Sequence, residues 1–152
     1  PVVALSSLET QARTLLRREG IDCPCLLVST IDARIGQIYI AVHHFDGALV
    51  RELLAPQIVT AADWSMPAAA AGLEHLPLHL VGSGAVSLAG AAPAAFSEVR
   101  SWPEALPEAR DMLAPAVEVV AAGGATAAAD AIPDYVQPRI GWKTLAEQGR
   151  RA

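Results

Sequence analysis

The sequence predicts an α/β layered domain in which helices cover a mixed sheet, and three observations predict it. Residues 25–53 are rich in β-branched and aromatic side chains and carry two turn signals. An amphipathic helix pattern precedes that stretch. After it, a short apolar run at 78–81 and a second helical pattern at 107–122 restore the alternation of element types that a layered domain needs. At 152 residues the chain is long enough to enclose one core without disulfides or a structural metal, so residues 1–152 are expected to form one domain.

Each element has a local reason. Ser6 and Glu9 have capping-box spacing, Leu8, Ala12, Leu15 and Leu16 fall on one face, and Gly20 is placed to stop a helix over 7–19. Between Cys25 and Phe45 two antiparallel strands are expected, joined near 33–36. Asp46-Gly47 is a hairpin signal, because both residues tolerate positive φ, and 48–53 supplies a third strand. Thr60 is read as the cap of a helix carrying Ala61, Ala62 and Trp64, which reaches the alanines 68–71 unless Pro67 breaks it. A buried strand at 78–81 runs into Gly82-Ser83-Gly84, read as a turn, and 86–104 lacks a clear period and is read mostly as loop. Residues 107–122 are read as a helix with Met112, Leu113, Ala116, Val117 and Val120 on one side and Gly123-Gly124 as its stop. A short alanine-rich helix at 125–131 and an extended tail over 133–152 complete the reading. A three-stranded meander followed by alternating helices and a strand matches the order of a ribonuclease-H-like unit.

Composition excludes several function classes. Hydrophobic residues make up 53% but aromatics only 5%, so alanine rather than large side chains carries the apolar character. No apolar run approaches the roughly 18–20 residues of a membrane span, and Pro1 to Ser7 lack the basic and apolar segments of a signal peptide, so a soluble, cytoplasmic chain with no membrane partner is expected. The formal net charge is −5, and Arg17-Arg18 and Arg150-Arg151 are the longest basic clusters, which argues against autonomous nucleic-acid binding. Cys23 and Cys25 flank Pro24 at a spacing too short for a disulfide, so reduced thiols are expected.

The segment Ile31-Asp32-Ala33-Arg34-Ile35-Gly36-Gln37-Ile38-Tyr39 resembles the Asp-Ala-Arg-x-Gly-x-Val-Tyr hairpin of the TsaB family, also called YeaZ. Pro1 to Leu8 is similar to that family's entry into the preceding helix, Val81-Gly82-Ser83-Gly84 to its Val-Gly-x-Gly strand end, and Ala109 to Leu113 to its Ala-x-Asp-Met-Leu helix. Pro133 to Val136 and Trp142-Lys143 resemble its closing motifs, although Gln137 stands where the family often has arginine. These matches follow the family's order along nearly the whole chain. The resemblance implies the C-terminal lobe of an actin-like, ribonuclease-H-like protein whose N-terminal lobe is not in this sequence. It further implies a non-catalytic scaffold for tRNA threonylcarbamoyladenosine modification, with a TsaD-like catalytic subunit and a TsaE-like ATPase as partners of the full-length protein, and self-association to a homodimer. The absent lobe would carry the partner-binding surface.

Candidate sites have competing readings. Asp32 and Arg34 resemble an acid paired with an electrophile, but at a tight turn they are expected to brace the hairpin. Gly82, Ser83 and Gly84 are the candidates for cofactor contact, since a glycine-rich turn after a strand admits a phosphate; without a following lysine, a plain turn is the expectation. An ATP-binding or hydrolytic, glycoprotease-like enzyme using this loop is the alternative function, and a free-standing interaction module a third. Antiparallel pairing could set one of His43 and His44 opposite Cys25, yet adjacent histidines point to opposite strand faces, so no zinc site is expected. His75 and His79 flank Pro77 and cannot share a helical face. Trp64, Trp102 and Trp142 are too scattered for a base-stacking platform. No catalytic residue, cofactor or metal is assigned.

Overall fold

The computed structural model describes residues 1–91, 95, 96, 98–133 and 136. In chain order it contains α1 (Ser7–Glu19), β1 (Cys25–Arg34), β2 (Gln37–Phe45), β3 (Val50–Thr60), β4 (Leu78–Val81), α2 (Ala85–Leu88), β5 (Val99–Trp102) and α3 (Leu113–Ala121), with short 3-10 turns between. The strands form one mixed sheet of order β3-β2-β1-β4-β5. β1 pairs antiparallel with β2 and parallel with β4, so it is the strand where the meander and the parallel half of the sheet join. Among the described residues no helix is long and apolar enough to cross a membrane.

The sheet buries both faces, and strand alternation sorts the residues between them. On one face Leu26, Val28, Ile38, Ile40, Val42, Leu78 and Leu80 pack with Trp64, Ala70, Leu88 and Phe96. On the other, Cys25, Leu27 and Val81 meet Ala12, Leu15 and Leu16 of α1. The helix forms as its signals predict. Ser6 Oγ accepts from the Glu9 amide at 3.4 Å, Gly20 closes the helix at φ +61°, and Arg13 pairs with Glu9 one turn back.

Five expectations are corrected. The third strand does not stop at Leu53; it runs through Pro56 to Thr60. Proline is tolerated there because β3 is an edge strand and Pro56 lies where the pairing with β2 slips, between Gln57 and Leu54. Thr60 consequently caps no helix. Its hydroxyl instead accepts from the Asp63 amide at 3.2 Å and donates to the Asp63 carboxylate at 2.6 Å, closing a turn. Within 86–104, read as loop, the structure holds most of α2 and all of β5, whose parallel register against β4 sets Trp102 beside Val81. Trp102 Nε1 donates to buried His79 Nδ1 at 3.0 Å, which ties β5 down.

The fourth correction concerns 107–122. Pro107 lies outside the helix, a 3-10 turn occupies Ala109–Met112, and α3 begins only at Leu113. Of the residues grouped on one side, Leu113, Val117 and Val120 face solvent, at 67%, 68% and 55% exposure, while Met112 and Ala116 are half-buried. The predicted 125–131 helix is reduced to a 3-10 turn at Ala128–Asp130. The expected tail lies outside the described residues, apart from Pro133 and Val136.

His43 sits beneath α1 at 1% exposure, and burial pushes its pKa down from 6.5 to about 4, with Glu9 opposing and Arg13 reinforcing the shift. The unfolded chain therefore takes up a proton at a higher pH than the folded one. Stability from this group is complete above pH 6.5 and is lost as pH falls towards 4. Urea titrations at pH 7 and pH 4 are expected to differ by on the order of 3 kcal/mol through His43 alone, and His43→Leu should remove most of that difference. His79, also lowered by burial, adds in the same direction.

Candidate functional site

Ligand sites in open α/β sheets form beyond the C-terminal ends of the parallel strands. Here the parallel pairing of β1 with β4 ends where Ser29 is in register with Val81, the last residue of β4. Beyond that point β1 continues into its hairpin with β2, and β4 turns through Gly82-Ser83-Gly84 into α2. The two turns are laced together. Thr30 Oγ1 donates to the Val81 carbonyl at 2.7 Å, and the Asp32 amide donates to Ser83 Oγ at 3.0 Å.

The glycines serve that contact. Gly82 has φ +92°, and a Cβ there would overlap the Thr30 carbonyl oxygen and the Gln11 side-chain amide. A Cβ on Gly84 would lie 2.6 Å from Ile38 Cγ2 and 3.0 Å from Thr30 Cβ. Gln11, itself 1% exposed, donates through Nε2 to the Ala105 carbonyl at 2.7 Å, anchoring α1 to the chain after β5. The Gly82 amide donates to the Trp102 carbonyl at 2.9 Å, so this member of the turn is already committed to the protein. Thr30 and Gln11 were not singled out from the sequence; a buried polar residue on a strand or helix face gives no signal until its partner is known.

The hairpin tip is unusual. Arg34 pairs with Gln37, leaving Ile35 and Gly36 as a two-residue loop at φ +54° and +73°, the geometry of a type I′ turn. Arg34 also has positive φ, +69°, next to the bulge between Asp32 and Arg34. Asp32 Oδ1 accepts from the Arg34 amide at 2.8 Å, so the carboxylate braces the turn as expected. The guanidinium stands 3.9 Å from Asp32 with both groups in solvent, a weak pair. Ile35 is 98% exposed at a position where Asn is preferred.

The remaining candidates are not brought together. Cys25 lies opposite Phe45, while His43 and His44 pair with Leu27 and Leu26, so neither histidine faces Cys25. Burial pushes the Cys25 thiol up to about 12, which makes it a poor nucleophile. Cys23 is exposed. His75 is exposed and His79 is held by Trp102. Among the described residues no group of three His, Cys, Asp or Glu side chains is placed to hold a metal ion. Trp64 belongs to the core.

Asp111, in the Ala-x-Asp-Met-Leu motif, takes hydrogen bonds from Arg17 Nε and Thr14 Oγ1, each at 2.7 Å. Arg17, and secondarily Thr14, hold this carboxyl below its ordinary range. Glu108 receives Arg17, Arg18 and Arg110. This network fastens the 108–112 segment to α1. A cavity of about 290 Å³ lies between α1 and the chain after β5, lined by Thr14, Arg18, Trp102 and Glu104 among others. Its arginine is already bound by Glu108.

The sheet order and helix placement define a ribonuclease-H-like α/β fold. Solved structures give the particular likeness. The chain is similar to YeaZ from Pseudomonas aeruginosa, with 24% identity and a TM-score of 0.71 over 89% of this chain and 58% of that one. It is also similar to an uncharacterized protein with similarity to peptidase YeaZ from Pseudomonas aeruginosa, with 23% identity and a TM-score of 0.70 over 90% of this chain and 59% of that one. The chain thus spans less than two thirds of either neighbour's length. No protein-family model and no curated protein matches the sequence.

Two outcomes test this geometry. Gly84→Ala is expected to cost about 1–3 kcal/mol in urea unfolding, whereas Gly90→Ala, which meets open space, should be near neutral. Ile35→Asn should raise stability by about 1 kcal/mol by relieving the left-handed β-branched residue.

Proposed function

We propose that this chain is the C-terminal lobe of a TsaB-type (YeaZ-type) protein and serves as a non-catalytic scaffold in the tRNA threonylcarbamoyladenosine machinery. In this reading a TsaD-like subunit performs the transfer, a TsaE-like ATPase and a second copy of the scaffold complete the assembly, and all of them work in the cytoplasm. The observation that carries the proposal is the fold match to YeaZ over 89% of the chain. The sequence motifs add to it, because Asp32, Arg34, Gly82 and Gly84 fall at the one end of the sheet where two turns interlock. A scaffold reading also suits the chemistry of that end: Asp32 Oδ1 and Ser83 Oγ are engaged with backbone amides, and Gly82 is packed against β1.

The test uses the longest natural polypeptide that contains these residues, in cells depleted of their own TsaB-type protein. Modified adenosine in tRNA, quantified by mass spectrometry of nucleosides, is expected to return, and Asp32→Asn and Ser83→Ala should retain most of it. Failure to restore the modification by a folded, accumulating protein contradicts the function. A loss on the order of a hundredfold in either variant, the effect of removing a general acid or base, contradicts the scaffold role.

A further inference from the structure

The cavity of about 290 Å³ between α1 and the chain after β5 has walls suited to a cation. Its apolar side is made by Leu15, Pro103 and the indole of Trp102. That indole is fixed before any ligand arrives, because Nε1 donates to His79 Nδ1 at 3.0 Å and the two rings stack with an interplanar angle of 25°. His79 is 3% exposed, so the anchor belongs to the core.

The charges around the cavity set the sign of its ligand. Arg18 is the one cation among the lining residues, and its guanidinium is bound by Glu108. Glu19 and Glu104 line the same cavity, and among the described residues neither carboxylate has a hydrogen-bond or ion-pair partner. Glu19 is also the last residue of α1, where the unpaired carbonyls of a helix end add about half a negative charge. The nearby acids are matched: Glu108 and Asp111 each hold an arginine. Two unmatched carboxylates beside a fixed indole set this cavity apart.

Size and shape narrow the ligand further. A volume of about 290 Å³ is at the lower end of the roughly 300–1,000 Å³ of small-molecule sites, so it suits one long side chain better than a whole metabolite. A planar guanidinium stacks on an indole and offers several donors to carboxylates around it, which a compact ammonium does less well. Nucleic acid is disfavoured, since its phosphates would meet both carboxylates on a chain of net charge −5.

We infer that this cavity is a docking site for an arginine side chain presented by a partner polypeptide, its guanidinium lying between Trp102 and the carboxylates of Glu19 and Glu104. The partner's backbone stays outside the cavity, which is therefore a specificity pocket within a larger contact. The inference does not depend on the tRNA-modification reading.

The test is NMR of the 152-residue chain at pH 7, titrated with N-acetyl-arginine amide, a blocked residue that stands in for arginine within a polypeptide. The readout is the Trp102 Nε1–H resonance, assigned by its loss in Trp102→Phe. Its shift is expected to saturate with a dissociation constant of about a millimolar, and the neutral N-acetyl-citrulline amide to bind about tenfold more weakly or worse. Glu19→Gln combined with Glu104→Gln should weaken binding by about fivefold or more. Both positions are exposed, so the double variant is expected to keep its fold. A shift that fails to saturate by about 50 mM, equal binding of the citrulline compound, or unchanged binding in the double variant overturns the inference. So does tighter binding of free arginine, which would make this a small-molecule site. A Trp102 shift caused by Arg139→Gln or Lys143→Gln without added ligand overturns it too, because this chain's own last residues would then fill the cavity.

Discussion

The fold depends on how closely the backbone at Gly82 to Gly84 approaches β1. β1 is the only strand among those described that is both antiparallel to one neighbour and parallel to another, and the turn after β4 packs directly on its last residues. A side chain at 82 would strike a backbone oxygen, which cannot rotate out of the way. Because Gly82 has none, Thr30 and Ser83 can bond across the junction, Gln11 can reach the Ala105 carbonyl, and both sheet faces are covered. One geometrical constraint thus aligns the meander, the parallel strands and α1.

The parts of the fold governed by local chemistry were legible in the sequence. The Ser6 cap and Gly20 stop bound α1, Asp46-Gly47 makes its hairpin with Asp46 accepting from the Ala48 and Leu49 amides, and the 78–81 strand lies as read. What failed was set by distant residues. Pro56 looks like the end of a strand unless β3 is known to be an edge. Val99–Trp102 carries no periodic signal, because four residues of parallel strand are held by β4 and by the His79 bond rather than by their own pattern. Periodicity in 107–122 groups Leu113, Val117 and Val120 on one side, but it reports amphipathicity and not what covers that side.

The site divides along the same line. That 82–84 is a turn, and that Asp32 braces the hairpin, follows from residue types. That the glycines are required by Thr30, Gln11 and Ile38 does not, since those contacts join positions some 50 to 70 residues apart in the chain. Strain at Ile35 was equally hidden, because only the register of the hairpin places this residue at a left-handed position. The carboxylate that first suggests chemistry braces its own hairpin, the Ser83 hydroxyl accepts from the Asp32 amide and so ties the two turns together, and the proposed scaffold role takes that as its starting point.

Native-state hydrogen exchange on the 152-residue chain measures directly whether a complete sheet core coexists with one uncovered helix. Amides of Val28, Leu80 and Gly82 are expected to exchange only through global unfolding, while those of Val119 to Ala121 in α3 exchange through much smaller openings. Protection of α3 equal to that of β1 and β4, or rapid exchange at Gly82, would contradict it.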